Sequence, residues 1–261
     1  MNSVNKTLYI PLYGKALVSK KGIILQDKKA EEIWENEKFP LKAKSKSKWL
    51  AYYMGMRAVV FDKWLIEKQK EYSNCIILHL GCGLDSRIER ANVAFEQWYD
   101  VDFQAVINER KRYYKETEIY HMLSTDIKDA SFIQALPKAQ RALVILEGIS
   151  MYLTNEDLKQ TLAKLNEHFL HLSVLMDCYT PFAAKISKIK NPIKNVGVSK
   201  VYGVENPKIL EESTGIFFLK EHEITPKYLI NELKGFEKFI FKLVYAGNMS
   251  KKLYKLYEFE S

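Results

Sequence analysis

The sequence predicts an α/β fold: a mostly parallel sheet covered by helices, preceded by a helical cap and closed by an antiparallel hairpin. The first observation is that short apolar runs alternate with amphipathic segments between residues 75 and 178. Alternating strands and helices with short connections favour parallel strands with helices on both faces. The second observation is that the chain ends on two aromatic, alternating segments, which is typical of antiparallel strands.

Length and composition exclude several classes of protein. The chain has 261 residues, of which 47% are hydrophobic and 28% charged, so it can bury a full core and is neither disordered nor collagen-like. No apolar run approaches the roughly 18 residues of a membrane span, and the first residues lack the design of a signal peptide. Three cysteines cannot form a complete disulfide framework, so we expect a soluble protein in the reducing cytoplasm.

The net charge of +8 is unevenly distributed. Residues 1–72 carry +7, residues 73–178 carry −4 and residues 179–261 carry +5. The lysine runs at residues 42–48 and 185–194 are most simply solvated surface, but basic flanks leave open an anionic substrate or nucleic acid.

The first third of the chain predicts helices. The opening segment, up to about Lys28, has no clear helix or strand pattern, and a helix is expected over residues 28–39. Large apolar residues then recur at helical spacing over residues 49–71 and predict one long helix. These residues are Trp49, Tyr53, Met56, Val60 and Trp64.

The rest of the chain divides into a strand–helix part and a mixed C-terminal part. The strand–helix part predicts strands over 75–80, 95–102, 119–123, 142–147 and 173–178, and helices over 86–94, 104–116 and 155–170. After Thr180 a lysine-rich insertion runs to about Ser213. The remainder predicts a helix over 226–233 and a hairpin of two strands over 236–245 and 253–259.

Four successive strand ends carry residues suited to a nucleoside. Gly81 and Gly83 follow the first strand, and Asp102 ends the second, 19 residues after Gly83. A carboxylate about 20 residues beyond a glycine turn can accept hydrogen bonds from ribose hydroxyls. Asp126 and Glu147 follow the third and fourth strands. Ligands of open α/β sheets bind at these carboxyl ends, so the sequence predicts a nucleoside site there.

The glycine turn argues against a dinucleotide. The dinucleotide pattern G-x-G-x-x-G has a third glycine where this chain has Ser86. Asp85, also in the loop, would repel a pyrophosphate but suits a ligand with an amino group and a sulfonium.

Four ordered blocks resemble a known family. They are Met56-Arg57-Ala58 with Phe61-Asp62, LGCGLDSR at 80–87, YDVDFQAVINERK at 99–111 and LEGISMYLTNEDL at 146–158. Between Arg57 and about Thr161 the chain resembles the leucine carboxyl methyltransferase family of class I S-adenosylmethionine-dependent O-methyltransferases, which includes bacterial polyketide-synthesis enzymes. The resemblance implies a Rossmann-like, seven-stranded, mostly parallel sheet and S-adenosylmethionine as cofactor.

The resemblance also implies one methyltransferase domain over residues 1–261. Within it, residues 1–72 would form the helical cap and 73–180 the cofactor-binding core. Residues 181–215 would form a substrate-side insertion, and 216–261 the C-terminal helix and hairpin.

The family's site residues carry over to matching positions. At the methionine end, Arg57 would pair with the carboxylate and Glu147 would lie near the amino group. Gly81 would contact the cofactor through its backbone, with Gly83 completing the turn. Arg87 is expected to pack beneath the loop or pair with Asp85 more than to touch the ligand.

At the nucleoside end, the resemblance implies that Asp102 holds the ribose. Asp126, together with Ile127, would meet the adenine.

The acceptor is less defined than the cofactor. A carboxylate acceptor needs no general base, whereas a hydroxyl does, and no histidine lies in the four blocks. Tyr152, Asp177 and Tyr179 follow strands and are candidate pocket residues, and the catalytic residue stays unknown. We expect a small-molecule acceptor, with the basic flanks favouring an anionic one. A protein C-terminus or a modified tRNA base side chain is the alternative acceptor.

Other partners are not predicted. His168 and His171 have a spacing that can bind metal, but no cluster of ligands accompanies them, and His79 is read as a core histidine. The sequence therefore predicts no metal and no membrane partner, and nucleic acid is disfavoured because no RNA-binding accessory domain is present.

Overall fold

A computed structural model describes residues 5–41, 45–72, 74–187 and 200–261. Its centre is one seven-stranded sheet with the order β3-β2-β1-β4-β5-β7-β6. The first five strands run parallel, and β7 is antiparallel to both β5 and β6. The strands are β1 (Ile76–Leu80), β2 (Gln97–Asp102), β3 (Tyr120–Ser124), β4 (Arg141–Leu146), β5 (His171–Tyr179), β6 (Phe217–Glu221) and β7 (Tyr254–Glu260). This sheet confirms the predicted fold class.

Ten α-helices lie in the described part of the chain, together with short 3₁₀ turns. They are α1 (Tyr9–Lys20), α2 (Lys28–Glu37), α3 (Lys48–Glu71), α4 (Arg87–Arg90), α5 (Gln104–Arg110), α6 (Asn155–His168), α7 (Pro181–Ser187), α8 (Lys227–Ile230), α9 (Gly235–Val244) and α10 (Gly247–Leu253). Helices α4, α5 and α8 are shorter than predicted, while α2, α3 and α6 match the predictions closely.

Alternate residues of the central strands face two apolar layers. On one face, Ile77 of β1 joins a cluster with Phe61 and Leu65 of α3. On the other, Ile76 and Leu78 join a cluster with apolar residues of α6. All five residues of β1 are buried, which explains why its sequence is a continuous apolar run and not an alternating one.

The expectation that the opening segment lacks regular structure is wrong, because α1 occupies residues Tyr9–Lys20. Pro11 obscures this helix in the sequence, but it lies in the first turn, where its missing N–H breaks no helical hydrogen bond. Gly14 is explained by close packing: a Cβ there would lie 3.0 Å from Met54 Cβ and 3.3 Å from Ala51 Cα of α3. Helices α1 and α3 therefore pack as a tight pair over the sheet.

The predicted strand at 236–245 is also wrong, since these residues form α9. Aromatic and β-branched residues favour strands intrinsically, but tertiary packing overrides this preference. Here the helix buries Phe241 completely and leaves Phe236 and Phe239 exposed. The antiparallel partner of β7 is instead β6, paired from Phe217 opposite Glu260 to Glu221 opposite Tyr257. The aromatic residues near 217 thus belong to a largely exposed edge strand.

The lysine runs are only partly described. Lys46, Lys48 and Lys185 are exposed, as expected. The remaining positions of these runs, within 42–44 and 188–199, lie outside the described residues. The same holds for the middle of the predicted insertion at 181–215.

Candidate active site

The strand ends that the sequence singled out meet at one cavity. The strand order reverses at β1, because β2 and β3 lie on one side of it and β4 and the later strands on the other. At such a switch point a crevice opens at the carboxyl ends of the strands. A cavity of about 410 Å³ occupies this position. All seven residues expected to bind the cofactor line it: Arg57, Gly81, Gly83, Asp102, Asp126, Ile127 and Glu147.

The glycine loop after β1 is fixed by tight packing. Gly81 has φ +71°, and its N–H donates to the Val101 carbonyl at 2.7 Å. A Cβ at Gly81 would lie 2.3 Å from Cγ2 of Ile149, far inside van der Waals contact. Only glycine fits both the left-handed backbone and this contact.

A buried arginine supports the same loop from below. Arg110 of α5 is fully buried, and its Nη1 donates to the carbonyl oxygens of Gly83 at 3.1 Å and Asp85 at 2.7 Å. Its guanidinium also pairs with Asp100 at 2.5 Å. Sequence reasoning missed Arg110, although it lies inside the third of the four family blocks.

Asp102 is held rigidly at the end of β2. Its Oδ2 accepts a hydrogen bond from the Gly83 N–H at 2.9 Å, and its Oδ1 accepts one from the Phe103 N–H at 2.8 Å. Burial raises the pKa of Asp102 to about 6, and the two backbone hydrogen bonds and Arg110 oppose this rise. Its carboxylate is therefore oriented toward the cavity and ionised at neutral pH.

The end of β3 supplies one polar and one apolar group. Asp126 is exposed and accepts a hydrogen bond from the Lys128 N–H at 3.0 Å, which closes a short turn. Ile127 is buried beside it and joins the apolar layer under α6. The pair gives the cavity a flat apolar surface with an acceptor at its edge.

Arg57 extends from α3 and lines the cavity. Its Nε donates to Glu147 Oε1 at 3.1 Å and its Nη1 to Asp177 Oδ2 at 2.7 Å. Burial alone would lower the pKa of Arg57, but Asp177 and Glu147 outweigh burial and raise it. The pKa of Glu147 falls to about 2, because Arg87 and Arg57 outweigh its burial. Both groups are therefore charged at neutral pH.

Asp177 lies behind this pair and not in the cavity. It is fully buried, does not line the cavity, and accepts a hydrogen bond from the Gly148 N–H at 2.6 Å as well as from Arg57. The structure thus separates Asp177 from Tyr152 and Tyr179, the other two candidate pocket residues, which do line the cavity.

Arg87 packs beneath the loop, as expected, but Asp85 is not its nearest partner. Its Nε donates to Asp62 at 2.6 Å and its Nη2 to Glu147 at 2.5 Å, whereas Asp85 lies 3.9 Å from its Nη1 and accepts a hydrogen bond only from its backbone N–H, at 2.7 Å. Asp85 pairs instead with Lys15 of α1. These buried ion pairs tie α1 and α3 to the loop and to the end of β4. Removing one partner of such a pair leaves a buried charge uncompensated.

The cavity also has an apolar lining and three tyrosines. The apolar lining includes side chains of α1 and α3, such as Ile10, Leu50 and Met54. Tyr152, Tyr179 and Tyr254 line the cavity as well, and the rings of Tyr179 and Tyr254 are 4.6 Å apart at right angles. Burial raises the pKa values of Tyr152 and Tyr254, so these hydroxyls stay protonated at neutral pH.

The lining residues that sequence reasoning missed include Lys15 and Tyr254. Lys15 lies in α1, where no element was predicted, and Tyr254 is the first residue of β7. Tyr254 carries no local motif, and only the antiparallel pairing of β7 with β5 brings it opposite Tyr179.

The seven residues expected to bind the cofactor all fall within a match to a known protein family. A family model described as leucine carboxyl methyltransferase matches residues 3–166, which is more than half of the chain. The chain belongs to this family. As a member of the leucine carboxyl methyltransferase family, it is an S-adenosylmethionine-dependent methyltransferase, which confirms the predicted enzyme class and cofactor. The match begins well before Arg57, so it also covers α1 and α2.

Two curated relatives were compared with this family member. Tetracenomycin polyketide synthesis O-methyltransferase TcmP of Streptomyces glaucescens is 26% identical over 243 residues, covering 92% of this chain and 90% of that protein. The S-adenosyl-L-methionine-dependent methyltransferase dpfgK of Gibberella zeae is 28% identical over 149 residues, covering 52% and 50%.

Solved structures share the fold at low identity. A protein from Thermobifida fusca described as a methyltransferase has a TM-score of 0.58 at 12% identity, covering 94% of this chain and 92% of that one. Magnesium protoporphyrin IX methyltransferase of Synechocystis, solved with bound SAH, has a TM-score of 0.52 at 10% identity, covering 88% and 93%. These similarities establish the class I methyltransferase fold.

The described residues also bear on metal binding and on membrane spanning. Within the described ranges, no group of three or more His, Cys, Asp and Glu residues is arranged to hold a metal ion. In the same part of the chain, no helix is long and apolar enough to cross a bilayer.

Proposed function

We propose that this methyltransferase transfers a methyl group from S-adenosylmethionine to an oxygen of a small-molecule acceptor. The observation that carries the proposal is a single cavity with two kinds of lining. Arg57, Asp102 and Glu147 line it together with apolar side chains and three tyrosines. The relative TcmP is an O-methyltransferase, which supports oxygen as the accepting atom.

Each of the residues expected to bind the cofactor suits one chemical group of it. The buried guanidinium of Arg57 suits a carboxylate, and the carboxylate of Glu147 beside it suits an ammonium group. Asp102, fixed by two backbone N–H groups, suits a ribose diol. Ile127 offers an apolar surface to a purine ring and Asp126 an acceptor to its edge.

The protein's contribution is alignment and exclusion of water. S-adenosylmethionine supplies, when bound, an electrophilic methyl group on a positively charged sulfur. In-line displacement depends mainly on holding the two reacting atoms in line and away from water. Helices α1 and α3 serve this need, because their apolar side chains cover the cavity and their buried ion pairs fix them to the loop.

The tyrosines support one kind of acceptor oxygen. Because the hydroxyls of Tyr152 and Tyr254 stay protonated, they donate hydrogen bonds and do not act as bases at neutral pH. Each lysine and arginine described along the cavity is already ion-paired: Lys15 with Asp85, Arg57 with Glu147, and Lys128 with Asp157. The acceptor oxygen would therefore be held by neutral hydroxyl donors, and an oxygen that ionises without a protein base, such as that of a carboxylic acid or an acidic hydroxyl, suits this lining.

We also propose that all 261 residues form one methyltransferase domain and that it works in the cytoplasm. The three cysteines are buried and free, which supports a reducing setting.

A labelled-methyl assay tests the acceptor class. S-adenosylmethionine carrying a labelled methyl group would be offered with aromatic carboxylic acids, phenols, a peptide ending in leucine, or bulk tRNA. We expect label in the small-molecule fraction, and release by mild base would distinguish an ester from an ether. Label in the peptide or the tRNA instead would contradict the proposal and support the alternative acceptors.

A further inference from the structure

Helix α9 presents an apolar face to solvent. Phe236, Phe239 and Leu243 are spaced for one side of a helix and are 74%, 63% and 64% exposed. Isolated exposed apolar residues are ordinary, but three large ones in contiguous helical positions form a patch that marks an interaction surface.

The opposite side of α9 is firmly attached to the protein. Phe241 is fully buried and its ring lies 6.3 Å from that of Tyr52. Glu237 accepts hydrogen bonds from Lys48 at 2.8 Å and from Tyr52 at 2.6 Å. The exposed face is therefore held outward by packing on the other side.

The charged residues in the chain segment that carries this face are almost all lysines. Residues 234–252 contain five lysines and one acidic residue, Glu237, which is paired with Lys48. Lys234, Lys242, Lys251 and Lys252 are exposed and Lys238 is half-buried. A helix with Phe and Leu on one side and lysines beside them is the pattern of helices that lie in the surface of an anionic bilayer.

We propose that α9 docks this protein onto an anionic lipid bilayer surface, with Phe236, Phe239 and Leu243 entering the headgroup region. Charge complementarity selects this occupant, because lysines are attracted to anionic lipid headgroups. A second copy of the chain fits less well, since a two-fold contact through this face would bring its lysines toward one another. The predicted absence of a membrane partner rested on the lack of a spanning segment, and a surface-bound helix needs none.

The docking face is connected to the cavity through the chain. Helix α10 follows α9 and ends at Leu253, which is itself 37% exposed, and the next residue, Tyr254, lines the cavity. Docking would thus hold one wall of the cavity near the bilayer surface. The inference does not depend on which oxygen accepts the methyl group.

Vesicle flotation with the full-length protein tests the proposal. The probes are vesicles of phosphatidylcholine alone and vesicles containing phosphatidylglycerol. We expect about tenfold or greater preference for the anionic vesicles, weakened by added salt. The double variant Phe236→Ser/Phe239→Ser should lose about tenfold in binding, and Lys238→Glu/Lys242→Glu should lose the preference for anionic lipid.

Matched controls separate docking from damage to the fold. Phe217→Ser removes a phenylalanine that is 65% exposed on β6, away from α9, and should bind vesicles like the wild type. All variants should keep the wild-type affinity for S-adenosylmethionine. Failure of the wild type to bind anionic vesicles would overturn the proposal, as would equal loss in Phe217→Ser. A wild-type dimer that Phe236→Ser/Phe239→Ser dissociates, with no vesicle binding, would assign the face to a second copy instead.

Discussion

The guanidinium of Arg57 lies 2.7 Å from the carboxylate of Asp177, and this contact connects α3 to the end of β5 beneath the cavity floor. Asp177 does not line the cavity, whereas Arg57 does. The geometry therefore assigns Asp177 a positioning part: it fixes the arginine that we propose pairs with the carboxylate of the cofactor.

Asp177→Asn should weaken S-adenosylmethionine binding by about tenfold, because one charge-assisted hydrogen bond that orients Arg57 becomes a neutral one. Calorimetric titration measures this change. Glu258→Gln is the control: it removes the charge of another fully buried, ion-paired carboxylate that does not line the cavity, and it should lower the free energy of unfolding without changing the affinity. Unchanged cofactor affinity in Asp177→Asn would contradict the positioning part.

Asp102 predicts a pH-dependent affinity. Its pKa is raised to about 6, so protonation removes the anionic acceptor as pH falls through that value. Cofactor affinity should therefore be highest above pH 7 and decline toward pH 5, by about tenfold for the loss of a hydrogen bond to a charged group. Calorimetry across this range would show the decline in the wild type and a flatter profile in Asp102→Asn. A wild-type profile as flat as that of the variant would argue against contact between Asp102 and the ribose.

Gly81→Ala should destabilise the protein more than Gly22→Ala. Both glycines have positive φ, +71° and +64°, but a Cβ at Gly22 meets nothing within 4 Å, whereas one at Gly81 meets Ile149 at 2.3 Å. Gly22→Ala should lower the free energy of unfolding by about 1–2 kcal/mol from backbone strain alone. Chemical denaturation compares the two variants, and adding Ile149→Ala to Gly81→Ala should recover the steric part. Equal losses in both single variants would contradict the close approach at Gly81.

Tyr152→Phe should impair methyl transfer without affecting the cofactor. The hydroxyl is expected to donate to the acceptor oxygen, so KM for the acceptor should rise by about fivefold to tenfold, the value of one hydrogen bond. The dissociation constant of S-adenosylmethionine should not change. Tyr99→Phe, which removes a hydroxyl outside the cavity, is the control. A larger effect on cofactor binding than on acceptor KM would contradict contact between Tyr152 and the acceptor.

The core of the fold and the glycines and carboxylates of the site could be predicted because their signals are local. Strands β1 to β5 are short apolar runs, and the glycines and carboxylates at their ends sit at fixed spacings, such as the 19 residues from Gly83 to Asp102. The rest of the cavity could be predicted only in part. Tyr152 and Tyr179 follow predicted strands and line the cavity, whereas Tyr254 reaches it only through strand pairing, and the helix α1 is obscured in the sequence by Pro11 and Gly14.

The prediction for the residues of helix α9 was wrong for a different reason. Its aromatic residues favour a strand in isolation, and the burial of Phe241 against Tyr52, nearly 190 positions earlier, makes it a helix. The same packing leaves Phe236 and Phe239 in solvent, so the mistaken strand and the proposed docking face have one origin.

The central claim is that the cavity binds S-adenosylmethionine through the strand ends. Calorimetric titration of S-adenosylmethionine into the wild type, Asp102→Ala and the exposed control Glu118→Ala tests it most directly. We predict one binding site per chain, an affinity at least about tenfold weaker in Asp102→Ala, and wild-type affinity in Glu118→Ala. No binding to the wild type, or equal affinity in Asp102→Ala, would contradict the account.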